Sequence, residues 1–401
     1  MQGVFRLSIF AAGLFAAQTA LAADPIKIGV TLSLSPPGSV PQGTVVRDSL
    51  EVAAKMINDS GGEIGRPFEL VIEDDQGIPE KARAATEKLI TRDKVVAIVG
   101  EHQSSAVLAG IEVAHRYHIP YINTNGFADT IREKAYVEVF SPAGYNSWLA
   151  IMIADAAKGL GAKRVSAYCE NTDFGVGIGK ALGDLIKERV PAVEYKAETL
   201  DRAAKDFLPA LLRLKANPPD MIVDCMLPPA SYILINQVYE QGIAPSSRTW
   251  LYSINFDYPD FWHNVGDGAK NMVGNGFYHP KMVLPELSTK VAVAYKAKTG
   301  FEPSRLLFQA ADSLFIVAEA IKAGNSTEPD AMIKALENLR WTGTRGEITF
   351  SQEKRGSRYH QWIDMPFVNF QVTAMKQNLA DTTIIEDVGR PFNASKLLKP
   401  Q

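Results

Sequence analysis

Short apolar runs alternate with amphipathic stretches along most of the chain. The clearest is Val95-Val96-Ala97-Ile98-Val99-Gly100, rich in β-branched residues, as a strand buried on both sheet faces requires. Gly100 ends it. Glu101-His102-Gln103-Ser104-Ser105 follows as a loop, and 106–117 carries helical spacing. Tyr121-Ile122 reads as a second short strand, broken by Asn123-Thr124-Asn125-Gly126. Strand, helix and strand in that order predict a parallel pair with a right-handed crossover. Both loops leave the carboxyl ends of neighbouring strands, where open α/β sheets bind small ligands. Ser104 or Ser105 can cap the helix, or join its free N–H groups in holding an anion.

The same alternation begins with a strand at Ile26-Lys27-Ile28-Gly29-Val30 and a helix carrying Val45, Val46, Leu50, Ala53, Ala54 and Ile57 at helical spacing. It restarts after 141–146 with helices at 148–158, 178–188, 207–215 and 233–241. Strands are expected between them at 164–169, 193–197, 221–226 and 250–253. The fold class is therefore α/β, with two Rossmann-like lobes, each a doubly wound parallel sheet. Further strands are expected at 273–279, which reads as returning to the first lobe, and at 343–350 and 359–371. Crossings near 141–145, 276–280 and 350–356 make a three-segment hinge, with a ligand cleft between the lobes. The first lobe is expected to take 24–143 plus 278–350. The second takes 144–277 plus 351–376, and 377–401 is a polar tail.

At 401 residues the chain is too long for one ordinary core. Its net charge of −3, with no basic cluster, argues against nucleic acid and against a polybasic membrane surface. Arg6, the apolar run 7–17 and Ala20-Leu21-Ala22 have the form of a signal peptide over 1–23, cleaved near Ala22 or Ala23. Export to the periplasm is expected. No segment approaches the roughly 20 apolar residues of a membrane-spanning helix. Cys169 and Cys225 could pair in an oxidising compartment or remain buried thiols.

Candidate catalytic chemistry is thin. Gly175-Val176-Gly177-Ile178-Gly179 has Lys180 where a dinucleotide loop needs its third glycine, so a tight helix entry is the better reading. No phosphate loop and no nucleophile elbow occur, and no cofactor is expected. His115 and His118 close a helix without an evident third ligand, and Glu73-Asp74-Asp75 reads as an exposed loop rather than a carboxylate site. Phe256, Tyr258, Phe261 and Trp262, near Asn255 and Asp257, make either a satellite core or an apolar ligand wall.

In the order and spacing of 26–30, 53–62, 73–94, 99–105, 173–177, 206–215, 237–242 and 343–350, the chain resembles the branched-chain amino-acid-binding (leucine/isoleucine/valine-type) family of ABC-transporter periplasmic solute-binding proteins. The resemblance implies a type I periplasmic-binding fold closing on one small ligand, an inner-membrane permease as partner, and a monomer. It places the ligand's carboxylate on Ser104 or Ser105 and on Asn125 and Phe127, with Gln103 and Gly126 beside them as ligand-binding residues. Phe174 matches the family's second-lobe aromatic, Gln42 the first-loop position, and Leu227, Asn255 and Asp257 the closing loops. One departure stands out. The acid that pairs with an amino acid's α-ammonium aligns with Ile254 or Asn255, unless Asp257 substitutes. Burying an ammonium without a counter-charge costs several kcal/mol. The resemblance therefore implies a carboxylate-bearing ligand, with amino acids, aromatic or short-chain carboxylates and amides all open. A ligand-sensing subunit of a receptor system is the alternative, and an enzyme ranks below both.

Overall fold

The computed structural model describes residues 24–398 except 259, 376 and 387, so the expected leader lies outside the described residues. The chain alternates from the start: β1 (Ile26–Leu32), α1 (Val40–Asp59), β2 (Phe68–Asp74), α2 (Pro79–Thr91), β3 (Ala97–Val99), α3 (Ser104–Arg116), β4 (Tyr121–Ile122), α4 (Thr130–Glu133) and β5 (Val139–Phe140). These strands form one parallel sheet in the order β2-β1-β3-β4-β5. The alternation resumes with α5 (Asn146–Gly159), β6 (Arg164–Glu170), α6 (Asp173–Arg189), β7 (Glu194–Leu200), α7 (Leu208–Ala216), β8 (Met221–Cys225), α8 (Ala230–Glu240), β9 (Trp250–Ser253), α9 (Phe261–Asn264) and β10 (Val273–Gly276). Then come α10 (Glu286–Thr299), α11 (Arg305–Gly324), α12 (Pro329–Glu337), the two-stranded β11 (Trp341–Thr342) and β12 (Glu347–Ile348), β13 (Val368–Gln371) and β14 (Thr383–Ile384). The second sheet runs β14-β13-β10-β9-β8-β6-β7 and is parallel except at β13 and β14.

Pattern explains the central strands. All five residues of β8 and all three of β3 are buried, which suits their continuous apolar runs between helix layers. The late helices return to the first lobe, where α11 packs along α1 and over β3.

Four sequence expectations differ from the structure. β10 pairs with β9 and β13, so the 273–276 run belongs to the second sheet and not the first. Only 368–371 of the expected 359–371 strand is extended in a ladder; Gln361 before it makes an isolated bridge to Ser141. The 343–350 run supplies only the short arm β12. The patternless tail returns as β14, because Phe370 and Gln371 of β13 still had an open edge. Cys169 and Cys225 are free buried thiols at directly opposed positions of β6 and β8. The hydrogen bond from Cys169 and burial raise the Cys225 thiol's pKa, so Cys225 stays protonated rather than reactive.

Candidate functional site

Gly100, at φ +117, turns β3 into the loop that launches α3; a side chain there would strike the Thr31 carbonyl. α3 starts at Ser104 with no side-chain cap, leaving its first-turn N–H groups open. The Ser104 hydroxyl accepts the N–H groups of Phe127 and Ala128, both at 3.0 Å, which ties this loop to the one after β4. With its lone pairs so used, its proton is the part left to give.

The two loops floor a cavity of about 20 Å³ between the lobes, room for about one water. His102, Ser104, Asn125, Phe127 and Arg305 line it from the first lobe, and Phe174, Leu227, Ile254 and Tyr258 close it from the second. Arg305, at the start of α11, is almost fully buried. Its Nε donates to both Asp257 oxygens at 3.1 and 3.0 Å, and Nη1 to Asn125 Oδ1 at 2.7 Å. Its guanidinium lies 4.9, 5.4 and 5.7 Å from the ring centres of Tyr258, Phe127 and Phe277. Burial works to lower its pKa, but Asp257 and Tyr258 more than offset this, and it stays cationic. Burial raises the Asp257 carboxyl, with Arg305 opposing.

His102 is buried, and neither ring nitrogen has a hydrogen-bond partner. Burial, with Arg202 and Arg305 nearby, pushes its pKa down to about 3, so the imidazole is neutral. Its Nδ1 lies 3.5 Å from Glu101 Oε1. That is not an ion pair, because burial beside Asp75 also raises Glu101 well above the carboxylate range. Asp75 and Glu101 share a hydrogen bond behind the cavity floor.

Polar bonds lock the lobes together around the rim. Arg202 donates to Gln103 Oε1 at 2.6 Å and Ser39 Oγ at 3.1 Å, while Ser39 Oγ donates to Pro228 O. Ser105 Oγ donates to Asp173 at 2.6 Å, and Gln42 Nε2 to Asp260 at 3.4 Å.

Among the residues singled out from sequence, Ser104, Asn125, Phe127, Phe174 and Leu227 come together at the cavity. Gln42, Gln103 and Ser105 stand in the rim bonds instead. Gly126 closes a turn with Asn123, and the Asn255 NH2 donates to Asp224, Ser231 and Met226 O. Asp257 is spent on Arg305 and faces an outer groove of about 620 Å³, walled by Phe256, Trp262, Tyr278 and Phe301. Phe256 and Phe261 pack on each other inside the main core, not as a satellite of it. Tyr258, singled out with the aromatic run as a possible ligand wall, does line the cavity; His102 and Arg305 were missed. An arginine opening an otherwise apolar helix was the one available signal. Asp75, expected in an exposed loop, is buried. His115 and His118 meet Glu138 at 2.9 and 2.6 Å, and His118 also meets Asp330 at 2.7 Å. Among the described residues no group of three or more His, Cys, Asp or Glu could hold a metal.

A family model described as periplasmic binding protein matches residues 25–371. The chain belongs to that family. It is 29% identical over 193 residues to an amino acid binding protein of Pseudomonas aeruginosa, covering 48% of this chain and about half, 51%, of the relative. It is 23% identical over 361 residues to the leucine-, isoleucine-, valine-, threonine- and alanine-binding protein of the same organism, covering 88% of this chain and 93% of that one. A solute-binding protein of an ABC transporter from R. palustris, solved in complex with benzoate, superposes with a TM-score of 0.79 at 18% identity, over 92% of this chain and 97% of that one. The family's type I fold, two α/β lobes about a cleft, is the fold described above. No helix among the described residues is long and apolar enough to cross a membrane.

Proposed function

We propose that the protein is the periplasmic solute-binding component of an ABC importer, capturing a small carboxylate-bearing ligand by closure of its lobes. The observation that carries this reading is the uncapped start of α3. With the Ser104 proton and the Arg305 guanidinium beside it, it faces a cavity walled by both lobes. A helix start with free N–H groups favours negative charge, and Arg305 adds a full positive one.

In the open form the ligand's carboxylate settles on the first lobe, on the α3 N–H groups and Ser104. Phe174, Leu227, Ile254 and Tyr258 then cover its apolar part. The ligand touches both walls only in the closed form, so it shifts the equilibrium toward closure. The rim bonds of Arg202, Ser39 and Ser105 form at the same time. The closed form is the one a membrane permease recognises. The chain acts as a monomer and carries out no chemistry on its ligand. The relatives named for amino acids and the benzoate-bound neighbour support a small ligand, and the cavity of about 20 Å³ must widen to admit one.

A thermal-shift screen of amino acids, aromatic acids, short-chain acids and amides tests the reading. At a hundredfold excess over Kd, a ligand adds about 2.7 kcal/mol of stability. A screen in which no compound moves the melting temperature sinks it.

A further inference from the structure

We infer that the ligand is a carboxylate without an ammonium group, and that His102, with Arg305, is the residue that selects it. The inference rests on the solute-binding reading above and sharpens its ligand class.

A ligand ammonium needs a free carboxylate, and the cavity offers none among the described residues. Asp257 holds Arg305 with both oxygens and faces the outer groove rather than the cavity. Glu101 accepts the N–H groups of His102 and Gln103 and shares its remaining hydrogen bonding with Asp75 and Ser33. Asp173 is taken by Ser105 and Asp260 by Tyr232. An ammonium entering here would meet a guanidinium and no partner. Unpaired charges are not retained in such surroundings.

A carboxylate meets the opposite situation. Arg305 turns toward the cavity while its counter-ion stands behind it, and the start of α3 adds partial positive charge. Arg202 adds a second positive charge near His102, and both guanidiniums join burial in holding its ring neutral. His102 is the second, independent sign of a ligand. It is only 3% exposed, lines the cavity, and leaves both ring nitrogens unpartnered. Buried polar atoms are rarely left so unless something else supplies the bond. A neutral imidazole has one N–H to give, which suits a carboxylate oxygen. Phe127, Phe174 and Tyr258 supply ring surface for an apolar body.

The test uses matched pairs that differ only in the ammonium, with the intact mature chain and isothermal titration calorimetry. L-leucine is compared with 4-methylpentanoate, and L-phenylalanine with 3-phenylpropanoate; benzoate is the aromatic reference. The acid lacking the amine is expected to bind at least ~100-fold more tightly than its amino acid. Either amino acid binding as tightly as its partner overturns the inference and leaves the solute-binding reading standing. No binding by any of the five compounds overturns both. His102→Leu is expected to weaken the tightest acid by about tenfold or more, while His102→Gln, which keeps an N–H donor, stays within about threefold. His102→Leu with unchanged affinity and an intact melting curve removes His102 from the proposal.

Discussion

The Arg305–Asp257 pair offers a quantitative test of how the cleft is held. Both side chains are almost wholly buried and their charged atoms are 3.0 Å apart. Arg305→Met removes one charge and strands the other, and so does Asp257→Asn. Breaking a buried pair from one side costs about 3–5 kcal/mol, mostly as the penalty of the charge left behind. In the double variant neither charge remains, so the loss should be far smaller than the sum, with a coupling energy of roughly 2–4 kcal/mol. The Arg305→Met variant also acquires a pH signature. With burial raising the Asp257 carboxyl and no guanidinium opposing it, the folded state favours the protonated acid. Its folded-state pKa then lies above the unfolded value, so stability is full at low pH and is lost as pH rises through the folded pKa. Urea unfolding of the four proteins, read by two probes whose transitions must coincide, yields the coupling. A double variant destabilised by the simple sum, within about 0.5 kcal/mol, would refute the argument.

Three further outcomes are expected. The bonds of His118 to Asp330, and then to Glu138, raise its pKa above 6.5. The stability it adds is therefore present below 6.5 and lost as pH rises through the folded value; the side chain is half exposed, so the effect is well under about 1 kcal/mol. His118→Gln should flatten that part of the melting-temperature profile between pH 5.5 and 8.5, and an unchanged profile contradicts the assignment. Burial beside Asp75 raises the Glu101 carboxyl, so the intact protein should lose stability as pH climbs above the ordinary carboxylate range. Glu101→Gln, whose carbonyl can still accept the His102 and Gln103 N–H groups, should show a shallower loss, and equal slopes would remove the shared proton from the account. Arg202→Ala deletes two bonds across the rim, each worth about 0.5–1.5 kcal/mol at this partly exposed position, and should weaken the tightest ligand about 5–150-fold. A change under about twofold would mean that the rim bonds do not contribute to closure.

The alternation of short apolar runs with helical stripes made both lobes legible, because strands buried on two faces cannot hide their composition. The floor of the cavity was legible for the same reason: 95–127 encodes strand, turn, helix start and strand in one stretch. What failed was whatever depends on partners distant in sequence. Val273-Gly274-Asn275-Gly276 carries no mark of which sheet it joins, and its place is set by β9 and β13. The tail after 376 is polar, and only the exposed ladder of β13 orders it. Arg305 reads locally as an ordinary helix opener. It becomes the centre of the cavity because the loops after β4 and β9 bring Asn125 and Asp257 to it from 180 and 48 residues away. Asp257 looked available to a ligand amine until that arginine was placed.

The return of the chain as β14 has a consequence for manufacture and handling of the protein. β13 alone would offer a four-residue ladder of bare N–H and C=O groups at the sheet margin, the kind of template that recruits a neighbouring molecule. The returning tail covers that invitation: β14 pairs with Phe370 and Gln371, the Ile385 N–H reaches Asn369 O, the Gly389 N–H reaches Phe367 O, and Gln371 is further sealed by its bonds to Leu398. Preparations clipped after 376 should therefore stick to one another at concentrations where the intact chain stays dispersed. Purification handles belong beyond the last residue on a long tether, not in place of these final turns.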